Sequence, residues 1–264
     1  NTTSDQFAGI ANDEVEDPRP WCELIRQWST LHPEFAYLPR KFKIAVSGAA
    51  QDRAAIQVHD IGLRLWYNAD GELRIKVLAG GGLGRTPMIA DVVREDLPWQ
   101  HLLTYLEACV RVYNQFGRRD NKFKARIKIL VKALGIDEFR RRVDEEWAHL
   151  KDGPQTLNQA AVDAAKGHFP EPDRRPVAEN ATEVFDQLRA ENRSFARFVT
   201  NNVPDHKVPG YKAVTLSLKR REHAPGDVTA DQMEAVADLA DRYSFGEVRV
   251  THEQNLVLSD VPVD

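Results

Sequence analysis

Three cations precede a run of apolar residues in the segment LPRKFKIAVSG, residues 38–48. Successive side chains of a β-strand point to opposite faces, so a strand here places Lys41 and Lys43 together on one face and Phe42 on the other. Their Cα atoms would lie about 7 Å apart, so both ammonium groups could bind one small anion and donate protons to it. The alternative is a strand end whose lysines reach water and discourage edge pairing.

A glycine-rich loop, VLAGGGLGRTP, follows a predicted strand at residues 77–87. Gly80, Gly81 and Gly82 would allow the backbone to approach a flat or anionic ligand closely. The loop is not a dinucleotide fingerprint, because Pro87 stands where the third glycine of that motif would fall. A tight turn with no ligand explains the same residues.

The segment GRRDNKFKARIK, residues 117–128, contains six cations and one acid, Asp120. On a helix, Lys124 and Lys128 would be neighbours one turn apart. Three interpretations stay open: a solvated helix face, a nucleic-acid patch, or a cradle for a cofactor that carries several carboxylates.

Metal and nucleophile motifs are missing from the chain. His59 and His252 have no second histidine at metal-ligand spacing, so no mononuclear metal site is predicted. No G-x-S-x-G sequence is present. Cys22 and Cys109 do not have the spacing of zinc or cluster ligands, and we expect both to be reduced, buried thiols.

Composition is that of an ordinary globular protein, with 264 residues, 42% hydrophobic residues and a net charge of −4. This charge does not call for a nucleic-acid or membrane partner. No apolar run approaches the roughly 18 residues of a membrane-spanning helix, and the first residues lack the pattern of a signal peptide. We therefore expect a cytoplasmic location. The first residue, Asn1, indicates an excised fragment.

Hydrophobic periodicity predicts a mixed α/β (α+β) protein. Residues 18–32, 98–116 and 121–149 have helical spacing, and residues 38–79 read as three strands of one sheet, with NADG as a hairpin loop. Residues 151–178 hold prolines and glycines and few large apolar groups, which is typical of a linker.

The last part of the chain begins with one predicted helix, NATEVFDQLRAENRSFARFV. A strand at 210–219, a helix at 229–244 capped by Thr229, and two further strands follow. This order is most of a ferredoxin-like α+β unit. The predicted domains are therefore 1–150 and 179–264, joined by the linker 151–178.

Taken together, these motifs resemble the sulfite and nitrite reductases that use sirohaem coupled to a four-iron four-sulfur cluster. The resemblance rests on NTTSDQFAG, LPRKFKIAVSG, VHDIGL, LAGGGLGRTP, RRDNKFKARIK and VTHEQNLVLSDV. It implies a central, mixed-sheet sirohaem-binding domain over residues 1–150 and the second ferredoxin-like half domain from 179. It also implies that the first half domain and the C-terminal domain with the cluster cysteines lie outside this chain.

The resemblance further implies roles for individual residues. Lys41 and Lys43 would bind the substrate anion and supply protons, while Arg40 would contact carboxylates of the macrocycle. The other cofactor-binding residues that it implies are Gly80, Gly81, Gly82, Arg119, Asn121, Lys122, Lys124, Arg126, Thr251, Gln254 and Asn255.

The implied activity is the six-electron reduction of sulfite to sulfide, with nitrite reduction to ammonia as the alternative. Family members that act on nitrite tend to carry asparagine at the position of Lys43, so K-F-K favours sulfite. The implied electron donor is a flavoprotein subunit or a ferredoxin. A hypothesis of another class is a nucleic-acid-binding protein that uses residues 117–128.

Overall fold

A computed structural model describes residues 1–264 and divides them into two units. The sheet unit comprises residues 1–5 and 15–170, and the half-domain unit comprises residues 6–14 and 171–264. None of the helices is both long and apolar enough to cross a membrane.

A five-stranded mixed sheet forms the centre of the sheet unit, in the order β1-β2-β3-β4-β5. Its first three strands are parallel, and β3, β4 and β5 run antiparallel to one another. The strands are β1 (Thr2–Thr3), β2 (Ile44–Ser47), β3 (Ile61–Tyr67), β4 (Leu73–Ala79) and β5 (Asp91–Pro98). The mixed sheet confirms the predicted fold class, whereas β1 and β5 were not predicted.

The alternation predicted for the segment before and within β2 is confirmed. Phe42, Ile44 and Val46 belong to the main core, whereas Ala45 packs into a smaller cluster that also contains Ile56. The regular strand begins only at Ile44. Extended pairing nevertheless continues before it, because the Phe42 carbonyl accepts from the Asn1 amino group (2.9 Å) and the Lys43 carbonyl accepts from Ile61 N–H (3.2 Å).

Six helices pack in the sheet unit, and α3 contributes the most buried residues because nearly all of its first three turns are enclosed. They are α1 (Arg19–Ser29), α2 (Pro33–Ala36), α3 (Leu102–Phe116), α4 (Ile127–Leu134), α5 (Ile136–Trp147) and α6 (Gln159–Lys166). Helix α6 lies within the stretch that composition marks as a linker. Leu157, Val162 and Ala165 are buried in the main core, so this stretch packs on the sheet unit as far as Pro170. The domain limits 1–150, 151–178 and 179–264 stay predictions.

The half-domain unit contains a three-stranded antiparallel sheet in the order β6-β8-β7. Its elements are α7 (Ala181–Glu191), α8 (Arg193–Asn202), β6 (Tyr211–Ser217), α9 (Ala230–Tyr243), β7 (Val248–Val250) and β8 (Asn255–Pro262). The predicted capping of α9 is confirmed, because Thr229 and Gln232 form a capping box. The single helix predicted before β6 is wrong: the Asn192 side chain accepts from Ser194 and Phe195 N–H and so starts a second helix.

A buried carboxylate, Asp260 on β8, joins three parts of the half-domain unit. It accepts from Arg174 Nε (2.8 Å) and lies 3.2 Å from His206 Nε2. Because His206 Nδ1 accepts from Val208 N–H (2.8 Å), Nε2 carries the proton in the neutral ring and donates to Asp260. Burial alone would raise the pKa of the Asp260 carboxyl, but hydrogen bonds from His206, Ser259 and Arg174 outweigh burial and hold that pKa well below its ordinary value.

We predict that Asp260→Asn destabilises the half-domain unit by about 3–5 kcal/mol at pH 7, since it removes the buried carboxylate that accepts from both Arg174 and His206. A depressed carboxyl pKa stabilises the fold above the unfolded value of about 4 and loses this contribution as pH falls through the folded value. The variant should therefore lose less stability than the parent between pH 6 and pH 3. Urea unfolding read by hydrogen exchange of β8 peptides measures both effects.

The matched control is Asp205→Asn, because Asp205 is 65% exposed and pairs with Lys212 at the surface. Such a pair contributes about 0–1 kcal/mol. Equal destabilisation by the two substitutions would contradict the role assigned to Asp260.

Candidate functional site

Strand register brings three of the predicted segments to the same end of the strands in the five-stranded sheet, and this end is called the edge of the sheet. Ile44 pairs with Ile61, Ile61 with Ala79, and Ala79 with Asp91. The residues just beyond this row are Lys43, Asp60, Gly80 and Ala90. The basic segment before β2 and the glycine loop after β4 are therefore neighbours, and Asp60 lies between them.

Asp60 is the residue that connects these segments. Its side chain is 1% exposed, and its Oδ1 accepts from Arg126 Nε (3.1 Å) and Nη2 (2.7 Å). Oδ2 accepts from the backbone N–H of Lys43 (3.0 Å), and the Asp60 carbonyl accepts from Gly80 N–H (3.0 Å). Sequence reasoning assigned Asp60 no role, although a lone acid between the apolar Val58 and Ile61 at a strand start is a recognisable signal.

The side chains of Lys41 and Lys43 are exposed, and neither ammonium group forms an ion pair or a hydrogen bond. Between them Phe42 is buried, with its ring 5.9 Å from Tyr113 and 6.3 Å from Phe35. The backbone of this segment is thus fixed by packing and pairing while both cations face solvent. Such an arrangement can attract a small anion without breaking any internal contact.

The glycines of the loop are explained first by contacts within the sheet unit. A Cβ on Gly81 would lie 2.5 Å from the Gln57 carbonyl oxygen, and a Cβ on Gly82 would lie 3.2 Å from Arg126 Nη2. Gly80, Gly81 and Gly82 are all buried. Backbone contact of these three glycines with a cofactor stays a prediction, and the exposed apolar groups beside them are Leu83 and Ile89.

The tip of the glycine loop is held by a buried lysine, Lys128 on α4. Its ammonium group donates to the Thr86 carbonyl (2.6 Å) and lies 3.4 Å from the Leu83 carbonyl. Burial, together with the neighbouring charge of Arg126, lowers the pKa of Lys128. The sequence pattern places Lys128 beside Lys124 on a helix and gives no sign that Lys128 is buried.

The basic segment is helical only from Ile127, so the helix predicted from residue 121 is wrong over its first six residues and Lys124 does not share a helix with Lys128. Its side chains divide into two groups. The first group has partners within the chain: Arg118 pairs with Asp120, Arg119 donates to the Tyr37 carbonyl and to Asn114, Asn121 accepts from Phe123 N–H, and Arg126 pairs with Asp60.

Exposed cations without an anionic partner are Lys122 and Lys124, and they flank Phe123, which is 74% exposed. The Lys122 carbonyl accepts from Arg40 Nη1 (3.1 Å), which ties the segment before β2 to this turn. Two free cations are few for a nucleic-acid patch, which needs several phosphate contacts. They suit a smaller anionic ligand.

The three predicted residues in the half-domain unit form the turn between β7 and β8. Thr251 Oγ1 accepts from Asn255 N–H (3.1 Å), and Asn255 Oδ1 accepts from Lys219 Nζ (2.6 Å). Thr251 and Asn255 are buried, whereas the side chain of Gln254 is exposed. Of the three, Gln254 is the one whose side chain is available to a ligand.

Both cysteines are free thiols, and burial raises the pKa of Cys22 to about 12 and also raises that of Cys109. No group of three or more histidine, cysteine or acidic side chains is placed to hold a metal ion.

Comparison with protein families decides the affiliation of the chain. Residues 1–151 match the family model described as the nitrite and sulphite reductase 4Fe-4S domain. The chain belongs to the nitrite and sulfite reductase family. Residues 206–264 match a second model, the nitrite/sulfite reductase ferredoxin-like half domain, which confirms the predicted class of the half-domain unit.

Relatives with both substrate names are similar to this chain. It is 30% identical over 260 residues to sulfite reductase [ferredoxin] 1 of Mycolicibacterium paratuberculosis, covering 98% of this chain and 39% of that protein. It is 28% identical over 269 residues to ferredoxin–nitrite reductase of Synechococcus elongatus, covering 99% of this chain and 44% of that protein. The chain therefore spans about two-fifths of the length of these relatives.

A solved structure, that of the Mycobacterium tuberculosis NirA protein, matches 99% of this chain and 40% of its own chain, with a TM-score of 0.68 and 28% identity. This likeness confirms the recognised family and fold.

Enzymes of this family use sirohaem and a four-iron four-sulfur cluster. The sheet edge fits a carboxylated macrocycle, because exposed apolar side chains lie on the same segments as unpaired cations. The apolar groups are Leu83, Ile89 and Phe123, and the cations are Lys41, Lys43, Arg85, Lys122 and Lys124. A four-iron four-sulfur cluster needs four thiolates, and the two cysteines of this chain, Cys22 and Cys109, are not grouped as cluster ligands.

We predict that Lys128→Met loosens the tip of the glycine loop, because methionine keeps the buried stem but cannot donate to the Thr86 and Leu83 carbonyls. Trypsin should then cleave after the exposed Arg85 about tenfold faster than in the parent. Mass spectrometry of the peptides formed over time measures the rate. The control is Lys132→Met, an exposed lysine on the same helix. Equal cleavage rates in all three proteins would show that Lys128 does not hold the loop.

Proposed function

We propose that the full-length protein containing this chain reduces sulfite to sulfide, with Lys41 and Lys43 as the residues that bind the anion and deliver protons. The observation that carries this proposal is the pair of exposed, unpartnered ammonium groups that flank the buried Phe42 at the edge of the sheet. Two unit charges about 4 Å apart attract by roughly 4 kcal/mol at an effective dielectric constant near 20. This attraction would concentrate an oxyanion at the edge.

Reduction of sulfite breaks S–O bonds, and each departing oxygen leaves as water after it has accepted protons. Ammonium groups in hydrogen-bond contact with these oxygens can act as general acids and take new protons from solvent. Lys43 is the better positioned of the two, because its backbone N–H and carbonyl are both bonded within the sheet unit. Lys41 shares its face in the extended segment.

The bound sirohaem and its coupled cluster supply the electrons for this chemistry. We propose that exposed cations of this chain hold the carboxylates of the macrocycle, with Lys122 and Lys124 as direct contacts. Arg40 and Arg119 donate to backbone carbonyls on neighbouring segments, so we propose that they also shape the edge that receives it. Leu83, Ile89 and the backbone of Gly80–Gly82 would cover its apolar surface.

Sulfite is preferred over nitrite in this proposal because the second lysine of K-F-K adds a positive charge where nitrite-reducing members tend to carry asparagine. Nitrite reduction stays the alternative, since similar relatives carry both names. Ferredoxin is the proposed electron donor, since it appears in the names of relatives of both kinds. A flavoprotein subunit stays the alternative donor, and a cytoplasmic location stays a prediction.

We predict that Lys43→Asn in the full-length enzyme shifts the preference toward nitrite by about tenfold, since each 1.4 kcal/mol changes a rate ratio tenfold. Sulfite is partly a dianion at neutral pH and loses about twice the Coulomb energy that monoanionic nitrite loses when one charge is removed. The measurement is kcat/KM for both anions with one artificial electron donor.

Lys132→Asn is the control for this experiment, because it removes an exposed lysine from α4 and leaves the sheet edge unchanged. Equal losses for sulfite and nitrite in Lys43→Asn would remove Lys43 from the substrate site.

We predict that the 264-residue chain by itself contains no iron-sulfur cluster and releases no sulfide, because four thiolates are required and Cys22 and Cys109 are the only cysteines. The full-length protein should show a Soret band together with about four iron atoms and four acid-labile sulfides for its cluster. Iron and sulfide assays on both proteins make the comparison. A cluster on the isolated chain would contradict this assignment.

A further inference from the structure

We propose that Asp60 is a positioning residue that holds Lys43 in the substrate site, an inference that rests on the proposed function. Asp60 Oδ2 accepts from Lys43 N–H (3.0 Å), and the next residue, Ile61, donates its N–H to the Lys43 carbonyl (3.2 Å). Both backbone groups of Lys43 are thus bonded to two consecutive residues. The ammonium group is left as the free end of a fixed backbone.

The other oxygen of Asp60 faces a cation rather than a second amide. Oδ1 accepts from two nitrogens of Arg126, at 3.1 and 2.7 Å. Both bonds end on Oδ1 and fix the position of that oxygen, while Oδ2 accepts from Lys43 N–H, so the carboxylate bridges the guanidinium and the Lys43 backbone. Arg126 therefore acts on Lys43 through Asp60, and the Nε–H and one N–H of Nη2 are occupied by the Asp60 carboxylate.

Only a carboxylate satisfies both sides of this arrangement. Asparagine has one acceptor oxygen and one NH₂ group, so either orientation places a donor against a donor. If the oxygen faces Arg126, the NH₂ group faces Lys43 N–H; if the amide is flipped, the NH₂ group faces the guanidinium. At a side chain that is 1% exposed, water cannot repair the mismatch, and Lys43 or Arg126 must move.

The test is a double-mutant cycle in the full-length holoenzyme with Asp60→Asn and Lys43→Asn, separately and together. The readout is the ratio of kcat/KM for sulfite to kcat/KM for nitrite, measured on one sample with one electron donor. Loss of folded or cofactor-loaded enzyme cancels in this ratio, so a merely structural role would leave it unchanged. We expect Asp60→Asn to lower the ratio about fivefold alone and by less than about twofold in the Lys43→Asn background.

The matched control is Glu107→Gln, a second buried carboxylate of the sheet unit that pairs with an arginine, Arg111, at 2.6 Å. It should lower the melting temperature but keep the ratio within about twofold of the parent. If Asp60→Asn does not yield folded holoenzyme, Arg126→Lys tests the same contact from its other partner. It keeps the charge but loses the two-nitrogen geometry, so the ratio should again fall.

An unchanged sulfite-to-nitrite ratio in Asp60→Asn overturns the inference, and so does an unchanged ratio in Arg126→Lys when that variant is used. If Lys43→Asn still shifts the ratio, the proposed function stands. An equal fall caused by Asp60→Asn in both backgrounds also overturns it, because Asp60 would then act independently of Lys43. An unchanged ratio in Lys43→Asn itself refutes the proposed role of Lys43 and the inference together.

Discussion

The buried carboxylate of Asp60 is the interaction on which the functional edge of the sheet depends. Burying a charge is costly unless it is paired and hydrogen-bonded, and Asp60 meets that condition with Arg126 and with the N–H of Lys43. Its carbonyl also holds Gly80. One residue therefore couples the segment before β2, the glycine loop and the start of α4, three segments that are far apart in the chain.

This coupling divides the cations of the sheet unit into two groups with different tasks. Arg126 and Lys128 form contacts within the chain and stabilise the edge of the sheet. Lys41 and Lys43 face solvent without partners, so their charge stays available for an anion. In the half-domain unit a second buried carboxylate, Asp260, applies the same rule, since its hydrogen bonds keep it ionised and join Arg174 and His206 to β8.

Local patterns predicted most helices and strands, because the periodicity of apolar residues depends only on residues close together in the sequence. Helices α1, α3 and α9, the capping box at Thr229 and the alternation around Ile44 all followed from short-range spacing. Strand β5 was not predicted because its sequence, DVVREDLP, carries four charged residues. They are tolerated because β5 is an outer strand of the sheet, where water solvates them. Helix α6 was not predicted because Val162 is its only large apolar residue, and its small alanines contribute to the core only when the helix packs on α1.

The sequence by itself determined the family, the alternation of residues 42–46 and the presence of a cationic, glycine-rich set of motifs. Tertiary structure alone decided which cations are free and which are anchored. The partners that make this distinction lie far away in the chain: Asp60 is 66 residues from Arg126, and Thr86 is 42 residues from Lys128. No local spacing encodes such pairs, because strand register and helix packing bring them together only after folding.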